Sequence, residues 1–444
     1  MSSWVKVSPG VFRCELGGVE KVYRKISTNF LPLEKEHWVI HCVCTLGSVG
    51  EEIVGALRGA WKILRLEYPG LGIVPDGLTY KSYSVSMDTQ AIEDWVDQTF
   101  SVQLCGTASD VIAAARPNTF PNLYYFPAST EVLFLSAHWR IDGIGTIMIL
   151  NRLLTLVSRG GTQANSVNCR ADLSRHSPSL EDAVGAATEY TDNMKSYARD
   201  YITQFHKQAV QKASFPFKGD YNTPPAESRR EALHFTREST SAIVAACKNR
   251  QISVTAAIHA ALAEVYFAYS EVGDGQSDYT TATSVNMRKY LPLPYNTAMH
   301  PCQPYVTSIT PCVRRSSNFA ERAATLTKQY GSWYNEDFRN CLRLIYQYHI
   351  EALSEVPSVP GAKPPPPASG LYLSSLGSVE KVLATDYGDS VKVEDFRFGV
   401  SMLTRQILLY AWTFNGQLTL SLNYNDAYYD HTNAKEILDR KSVV

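Results

Sequence analysis

The strongest constraint on the fold is a continuous apolar stretch, EVLFLSAHWRIDGIGTIMILNRLL, at residues 131–154. Its first part is rich in Val, Leu and Phe, which favours a buried strand, and residues 144–157 favour a helix buried on most faces. His138 and Asp142 interrupt the apolar run between these two elements. A histidine in this place is either a core residue whose nitrogens bond nearby backbone groups or a catalytic group.

Charge and composition exclude several classes of partner. The 444 residues carry 42 Lys and Arg against 43 Asp and Glu, without long blocks of one sign, so there is no electrostatic footprint for nucleic acid or an anionic membrane. Nine cysteines without a CxxC pair indicate reduced thiols. The start, MSSWVKVSPG, lacks an apolar signal segment. We therefore expect a cytoplasmic protein that binds neither nucleic acid nor membrane, and we expect a monomer.

Strand and helix patterns occur together along the chain, which predicts the α+β class. Strand-like alternation covers residues 11–46, and polar helical spacing covers residues 180–212. A segment rich in turn-forming residues, at about 205–228, divides the chain. We predict two lobes of similar build, residues 1–210 and residues 211–444, each a mixed sheet flanked by helices.

Turn residues also predict two hairpins. One turn, at residues 127–130, joins the strand NLYYF to the strand EVLFLSA, and the other, NGQ at residues 415–417, joins QILLYAWTF to GQLTLSLNYN.

Other catalytic motifs are absent from the sequence. There is no GxSxG nucleophile elbow and no GxxxxGK[ST] phosphate loop, and GLGIVP fails the dinucleotide-binding pattern. The nearest approach to a zinc motif, HWVIH, places His37 and His41 in a strand-like run, where they stand about 13 Å apart. We predict no metal site and no bound cofactor.

The residues around His138 fit a general base. Its imidazole would be largely neutral near pH 7, since the usual pKa of histidine is about 6.5. Asp142 either orients this imidazole, as in a catalytic triad, or pairs with a cation and fixes the loop. The spacing does not choose between these two roles. Gly143 and Gly145 allow main chain to approach a ligand closely.

HWRIDG is an HxxxDG motif, and its place after an apolar strand resembles the acyltransferase superfamily of chloramphenicol acetyltransferases, plant BAHD acyltransferases and peptide-synthetase condensation domains. Further segments follow in the order of that family: SVTAAIHAALAEVYF, SVNMR, LSSLG, DFRFGVS and LTLSLNYNDAYYD. The resemblance covers essentially the whole chain and is nearest to fungal proteins of the trichothecene 15-O-acetyltransferase type. It implies two chloramphenicol-acetyltransferase-like lobes with a tunnel between them.

The resemblance also implies a role for each matched residue. His138 would be the general base. Asp142 would be structural and ion-paired with Arg288 of SVNMR, on a strand of the second lobe. Gly143 would leave room for the acyl donor or the acceptor, and Ser374 or Ser375 of LSSLG would stabilise the tetrahedral oxyanion.

One motif departs from the family pattern. Where plant members have DFGWG, this chain has DFRFG, with Arg397 and Phe398 in place of Gly and Trp. Any role attached to those two positions does not transfer. Asp395 and Gly399 remain, and we interpret them as part of a turn at the end of a strand.

The predicted function is O-acyl transfer, with acetyl as the expected group. The co-substrate would be acyl-CoA, and the acceptor would be a hydroxyl of a small secondary metabolite, such as a terpenoid or polyketide alcohol. The 26 tyrosines fit a bulky, apolar acceptor, and the lack of a recognisable carrier domain favours free CoA over a carrier-protein thioester. The alternative is the same fold redirected to a CoA-independent isomerase, cyclase or eliminase that uses His138.

Overall fold

The computed structural model describes most of the chain. The described residues are 3–47, 49–85, 89–162, 173–209, 211, 215–220, 222–269, 278–354, 369–388 and 391–439. The helices in these ranges are α1 Gly18–Ser27, α2 Ile53–Glu67, α3 Thr89–Thr99, α4 Ala108–Ala113, α5 Gly143–Val157, α6 Leu180–Ala183, α7 Asp192–Ala209, α8 Arg237–Asn249, α9 Val254–Tyr269, α10 Phe319–Ser332, α11 Glu336–Ser354 and α12 His431–Asp439. The strands are β1 Val5–Ser8, β2 Val11–Glu15, β3 Val39–Leu46, β4 Val74–Asp76, β5 Tyr80–Ser84, β6 Phe100–Val102, β7 Asn122–Phe126, β8 Glu131–Ala137, β9 Ser228–His234, β10 Tyr279–Thr280, β11 Thr283–Asn286, β12 Val306–Ile309, β13 Cys312–Val313, β14 Gly370–Ser378, β15 Val393–Val400, β16 Gln406–Phe414 and β17 Gln417–Asn425.

The chain divides into two compact units, each assembled from three segments. The first unit holds Met1–Val184, Asn286–Val306 and Val379–Val400, and the second holds the remaining residues. This division differs from the boundary predicted at residue 210. The physical reason is that two later segments return to the first unit, where β15 pairs with β3 and Arg288 pairs with Asp142.

The first unit contains the sheet that carries the apolar stretch, with its described strands in the order β15-β3-β8-β7-β6. β8 is antiparallel to β3, and Val39 lies opposite Ala137. Every residue of β8 after Glu131 is buried, as its continuous apolar run predicts. The strand therefore places His138 directly at the end of a buried sheet.

Helix α5 follows this strand after a turn at residues 138–142. It is buried along most of its length and packs against α2. Its polar side chains have defined partners, since Arg152 donates to the Glu67 carboxylate at 2.8 Å and Asn151 accepts from the Tyr387 hydroxyl at 2.8 Å. The predicted core helix is confirmed. Within the described ranges, no single helix is long and apolar enough to cross a membrane, and α8 and α9 reach that length together only with a 99° bend.

The second unit is built on a sheet whose described strands have the order β12-β11-β14-β16-β17-β9. β14 is parallel to both β11 and β16, and β16 is antiparallel to β17. Asn415 and Gly416 connect β16 to β17 with φ angles of 50° and 72°, which are the positive values of a type I′ turn. Both predicted hairpins, this one and the β7–β8 pair, are confirmed.

Two of the predicted elements are wrong in detail. Residues 11–46 are not strand-like throughout, because α1 lies between β2 and β3. The buried Val19, Val22 and Tyr23 of this helix have helical spacing. Glu20 caps the first turn by accepting a hydrogen bond from the Gly17 amide at 2.7 Å. The helical stretch at residues 180–212 is divided into α6 and α7.

Candidate active site

His138 lies in a tight turn that ends β8. The Arg140 amide donates to the Ala137 carbonyl at 3.2 Å, and the Arg140 guanidinium is buried where it donates to backbone carbonyls, including that of Thr119 at 2.8 Å. Trp139 and Ile141 are also buried, whereas His138 is partly exposed. The turn thus anchors the neighbours of His138 in the core and leaves His138 itself partly exposed.

The surroundings of His138 favour the neutral imidazole. Burial lowers its pKa, and close backbone groups together with the charge of Asp142 offset part of that decrease. The Nδ1 atom is buried, and the nearby backbone groups belong to His138 itself and to Ile141. A neutral imidazole in a partly exposed residue has the protonation state that a general base requires.

Asp142 is fully buried and makes a dense set of hydrogen bonds. Its carboxylate accepts from Arg288 Nη1 at 2.9 and 2.7 Å, from the Gly145 amide at 2.7 Å and from the Tyr305 amide at 2.7 Å. The Gly145 bond makes Asp142 the N-cap of α5. These contacts join the start of α5 to the segment Asn286–Val306, and none of them involves the imidazole.

Arg288 completes this cluster, although not from a strand. It begins a short 3₁₀ turn, Arg288–Tyr290, directly after β11, so the prediction that it lies on a strand is wrong by about two residues. Its side chain is 5% exposed, and its guanidinium lies 5.3 Å from the centre of the Tyr305 ring. The aromatic face and the carboxylate together compensate the buried positive charge.

The two glycines of the motif lie at the first turn of α5. Gly143 is its first residue and is partly exposed. Gly145 is buried, and a Cβ atom there would come within 2.2 Å of the Pro301 carbonyl oxygen. Gly145 therefore allows a close approach of two main-chain segments, rather than of main chain and ligand.

Three aromatic residues near His138 were not predicted from the sequence. The Tyr23 ring, on α1, lies 4.3 Å from the His138 ring, and the Trp38 ring lies 5.7 Å from Tyr23 and 4.7 Å from His37. Burial lowers the pKa of His37 to about 3, with a further contribution from His138. The helical spacing of α1 is the signal that could have placed Tyr23.

The two candidate serines lie on β14 of the second unit. The Ser375 hydroxyl is 3.1 Å from the Thr255 hydroxyl of α9, so its side chain is on the helix-covered face of the sheet. Ser374 faces the opposite side, since successive strand residues alternate, and it is partly exposed. A register shift between Ser375 and Gly377 follows directly. Both serines are partly exposed, and the Ser375 hydroxyl already has Thr255 as a hydrogen-bond partner.

No group of three or more His, Cys, Asp or Glu side chains in the described ranges is arranged to hold a metal ion.

Comparison with known proteins decides the family. The chain is 48% identical over 439 residues to the O-acetyltransferase pigM of Monascus ruber, covering 98% of this chain and 85% of that protein. It belongs to the family of these O-acetyltransferases. It is also 41% identical to azaphilone biosynthesis cluster protein M of Aspergillus terreus, covering 97% of this chain and 94% of that protein. No family model matches the sequence.

A solved structure has the same fold as this acetyltransferase. TRI3 trichothecene 15-O-acetyltransferase from Fusarium sporotrichioides superposes with a TM-score of 0.81, covering 99% of this chain and 97% of that chain at 16% identity. The predicted α+β fold of the acyltransferase superfamily is confirmed, and so is the resemblance to the trichothecene enzyme. The predicted activity, O-acyl transfer in secondary metabolism, is also confirmed.

The DFRFG segment of the acetyltransferase forms part of β15. Asp395 lies opposite Thr45 and Gly399 opposite His41, so the interpretation of these residues as a strand-end turn is wrong. Arg397 forms an ion pair with Glu131 of β8, and Phe398 is buried. The residues that replace Gly and Trp of the plant motif thus attach β15 to its sheet.

Proposed function

We propose that this acetyltransferase moves an acetyl group from acetyl-CoA to a hydroxyl of an azaphilone-type polyketide, with His138 as general base. The acceptor class is suggested by the name of the Aspergillus terreus relative. The observation that carries the catalytic proposal is the partly exposed, neutral imidazole at the end of β8, held beside a buried Asp142–Arg288 pair.

In the proposed reaction, the accessible nitrogen of His138 takes the proton of the acceptor hydroxyl. The oxygen then attacks the carbonyl carbon of the thioester, and a tetrahedral oxyanion forms. Collapse of this intermediate breaks the carbon–sulfur bond, and the imidazolium returns the proton to the departing thiolate. The products are the ester and CoA, and no acyl-enzyme is needed because the base activates the acceptor directly.

The other site residues have supporting roles in this proposal. Asp142 and Arg288 hold the turn that carries His138 in place, since the carboxylate accepts hydrogen bonds from Arg288 and two backbone amides. Gly143 leaves space beside the base. The Ser374 hydroxyl donates to the oxyanion, because Ser375 already faces Thr255. The channel for the two substrates and the role of Ser374 stay predictions.

The test is a thiol-release assay with acetyl-CoA and a panel of hydroxylated polyketides and terpenoids, followed by product masses. A gain of one acetyl unit, with release of one thiol per product, is expected. A parallel reaction with an acetyl-loaded carrier protein separates the two donor types. A product of unchanged mass formed without CoA would overturn the proposal in favour of an isomerase or cyclase.

Two variants test the base. His138→Ala should lower kcat/KM by about 10²- to 10⁴-fold at an unchanged melting temperature. The matched control is His206→Ala, which removes a partly buried histidine of α7 in the second unit and should retain activity. Near-full activity of His138→Ala would contradict the proposal.

A further inference from the structure

Trp38 has the most unusual backbone conformation near the proposed base. It directly precedes β3 and adopts φ of 61°, a left-handed value that is rare for a bulky side chain. Such conformations persist only where surrounding contacts enforce them, and they cluster at functional sites. The structure therefore maintains the position of this indole against the local backbone preference.

The sheet register brings the backbone of Trp38 close to the turn that carries His138. Val39 is opposite Ala137 in the last pair of the antiparallel β3–β8 ladder, and Trp38 and His138 are the residues next to that pair on the two strands. The Tyr23 ring contacts both, at 5.7 Å from Trp38 and 4.3 Å from His138. Trp38 is thus linked to the base by the adjacent strand ends and by the ring of Tyr23, which both residues contact.

Tyr23, His37 and Trp38 form an aromatic cluster, and Trp38 is its most exposed member. Tyr23 and His37 are 8% and 1% exposed, whereas Trp38 is partly exposed. His37 stacks on the indole at 4.7 Å and Tyr23 meets it edge to face. Because buried His37 is neutral at assay pH, the cluster offers an uncharged aromatic surface beside His138.

We infer that the accessible part of Trp38 stacks on a planar, conjugated ring of the acceptor and so determines acceptor specificity. This inference rests on the proposed function in one respect, namely that the acceptor hydroxyl meets His138. Indole stacks on flat π-systems better than on saturated rings of similar size. The residue therefore favours planar acceptors over saturated ones and touches no reacting atom.

The test measures binding without catalysis. Dissociation constants for 2-naphthaleneethanol and for its fully saturated decahydro analogue are measured by calorimetry. The wild type should bind the planar alcohol about three- to tenfold more tightly than the saturated one. Trp38→Asn, which suits a left-handed backbone, should fold and lose this preference, and Trp38→Phe should retain part of it.

Trp4 supplies a matched control. Its partly exposed indole packs on His176 at 4.7 Å and edge to face on Tyr83 at 6.3 Å, much as Trp38 packs on His37 and Tyr23. Trp4→Ala should keep the wild-type preference. The inference is overturned if the wild type shows no preference for the planar alcohol, or if Trp38→Asn keeps it.

The two proposals fail in different ways. If no alcohol is acetylated but Trp38→Asn still loses the planar preference, the proposed reaction is wrong and the stacking surface stands. If acetylation occurs and the preference survives in Trp38→Asn, the stacking inference alone is wrong.

Discussion

His138 combines burial and access in one side chain. Nδ1 is enclosed, and the residue as a whole remains partly exposed. Enclosure removes water that would stabilise the imidazolium, so the neutral form is favoured. The same burial that makes the residue resemble a core histidine in the sequence is what prepares it to accept a proton.

The pH dependence of activity follows from this environment. Because burial lowers the pKa of His138, the imidazole stays neutral to lower pH than an exposed histidine. We expect kcat/KM to be constant near neutral pH and to fall on acidification with a midpoint below 6.5, the usual histidine value. Rates with acetyl-CoA measured from pH 4.5 to 8 check this, and a midpoint above 6.5 would contradict it.

At the residue scale, the sequence predicts the motif better than its surroundings. HxxxDG leads to His138 and Asp142, and the family order leads to Arg288. Tyr23 and Trp38 could not be predicted in the same way, because their contacts depend on the register of β3 against β8 and on a positive φ that Trp seldom adopts.

At the scale of secondary structure, the Asp142 carboxylate determines how α5 begins. It caps the helix through Gly145 and also binds Arg288 and the Tyr305 amide. One side chain thus fixes the helix start, the turn that carries His138 and the returning segment Asn286–Val306. These elements are coupled through a single buried charge.

Asp142→Asn tests this coupling. The variant leaves the Arg288 charge buried without its counterion, which costs about 3–5 kcal/mol, while Asn still serves as an N-cap. We expect a lower free energy of unfolding, measured by urea denaturation, together with a lower rate. Asp76→Asn is the control, because its pair with Arg13 is exposed and contributes at most about 1 kcal/mol. Normal stability of Asp142→Asn would show that the pair is not an anchor.

Strong local signals made some elements predictable. A continuous apolar run gives β8 and α5, and Asn415-Gly416 gives the β16–β17 turn. The pattern does not predict α1, because its few apolar residues lie between two strand-like runs and their helical spacing resembles alternation. Pairing of β15 with β3 is a long-range contact, which local patterns do not encode.

At the scale of the whole molecule, buried histidines make stability depend on pH. His349 of α11 stacks near His206 of α7, with ring centres 4.8 Å apart. Burial, and to a lesser extent the charge of His206, lowers the pKa of His349 to about 4. In the unfolded chain the pKa of this histidine is near 6.5. Between pH 4 and pH 6.5 the unfolded chain therefore binds more protons than the folded chain.

This difference in proton binding destabilises the folded chain on acidification. The contribution of His349 to the free energy of unfolding is fully present above pH 6.5. It is lost as the pH falls from 6.5 to 4 and changes no further below 4. His349→Gln should flatten the decrease of melting temperature over that interval. His431→Gln, at an exposed histidine, should leave the wild-type slope, and an equal slope in His349→Gln and the wild type would refute this assignment.

The return of β15 to the first unit has a consequence for synthesis on the ribosome. Val393 pairs with Leu46, so β3 leaves the ribosome long before its neighbour: at 5–20 residues per second, the intervening roughly 350 residues take about 20–70 s. During that interval one edge of β3 has no strand to pair with, and such edges promote aggregation. The sheet that carries the catalytic turn is among the earliest parts to be translated and among the last to be completed.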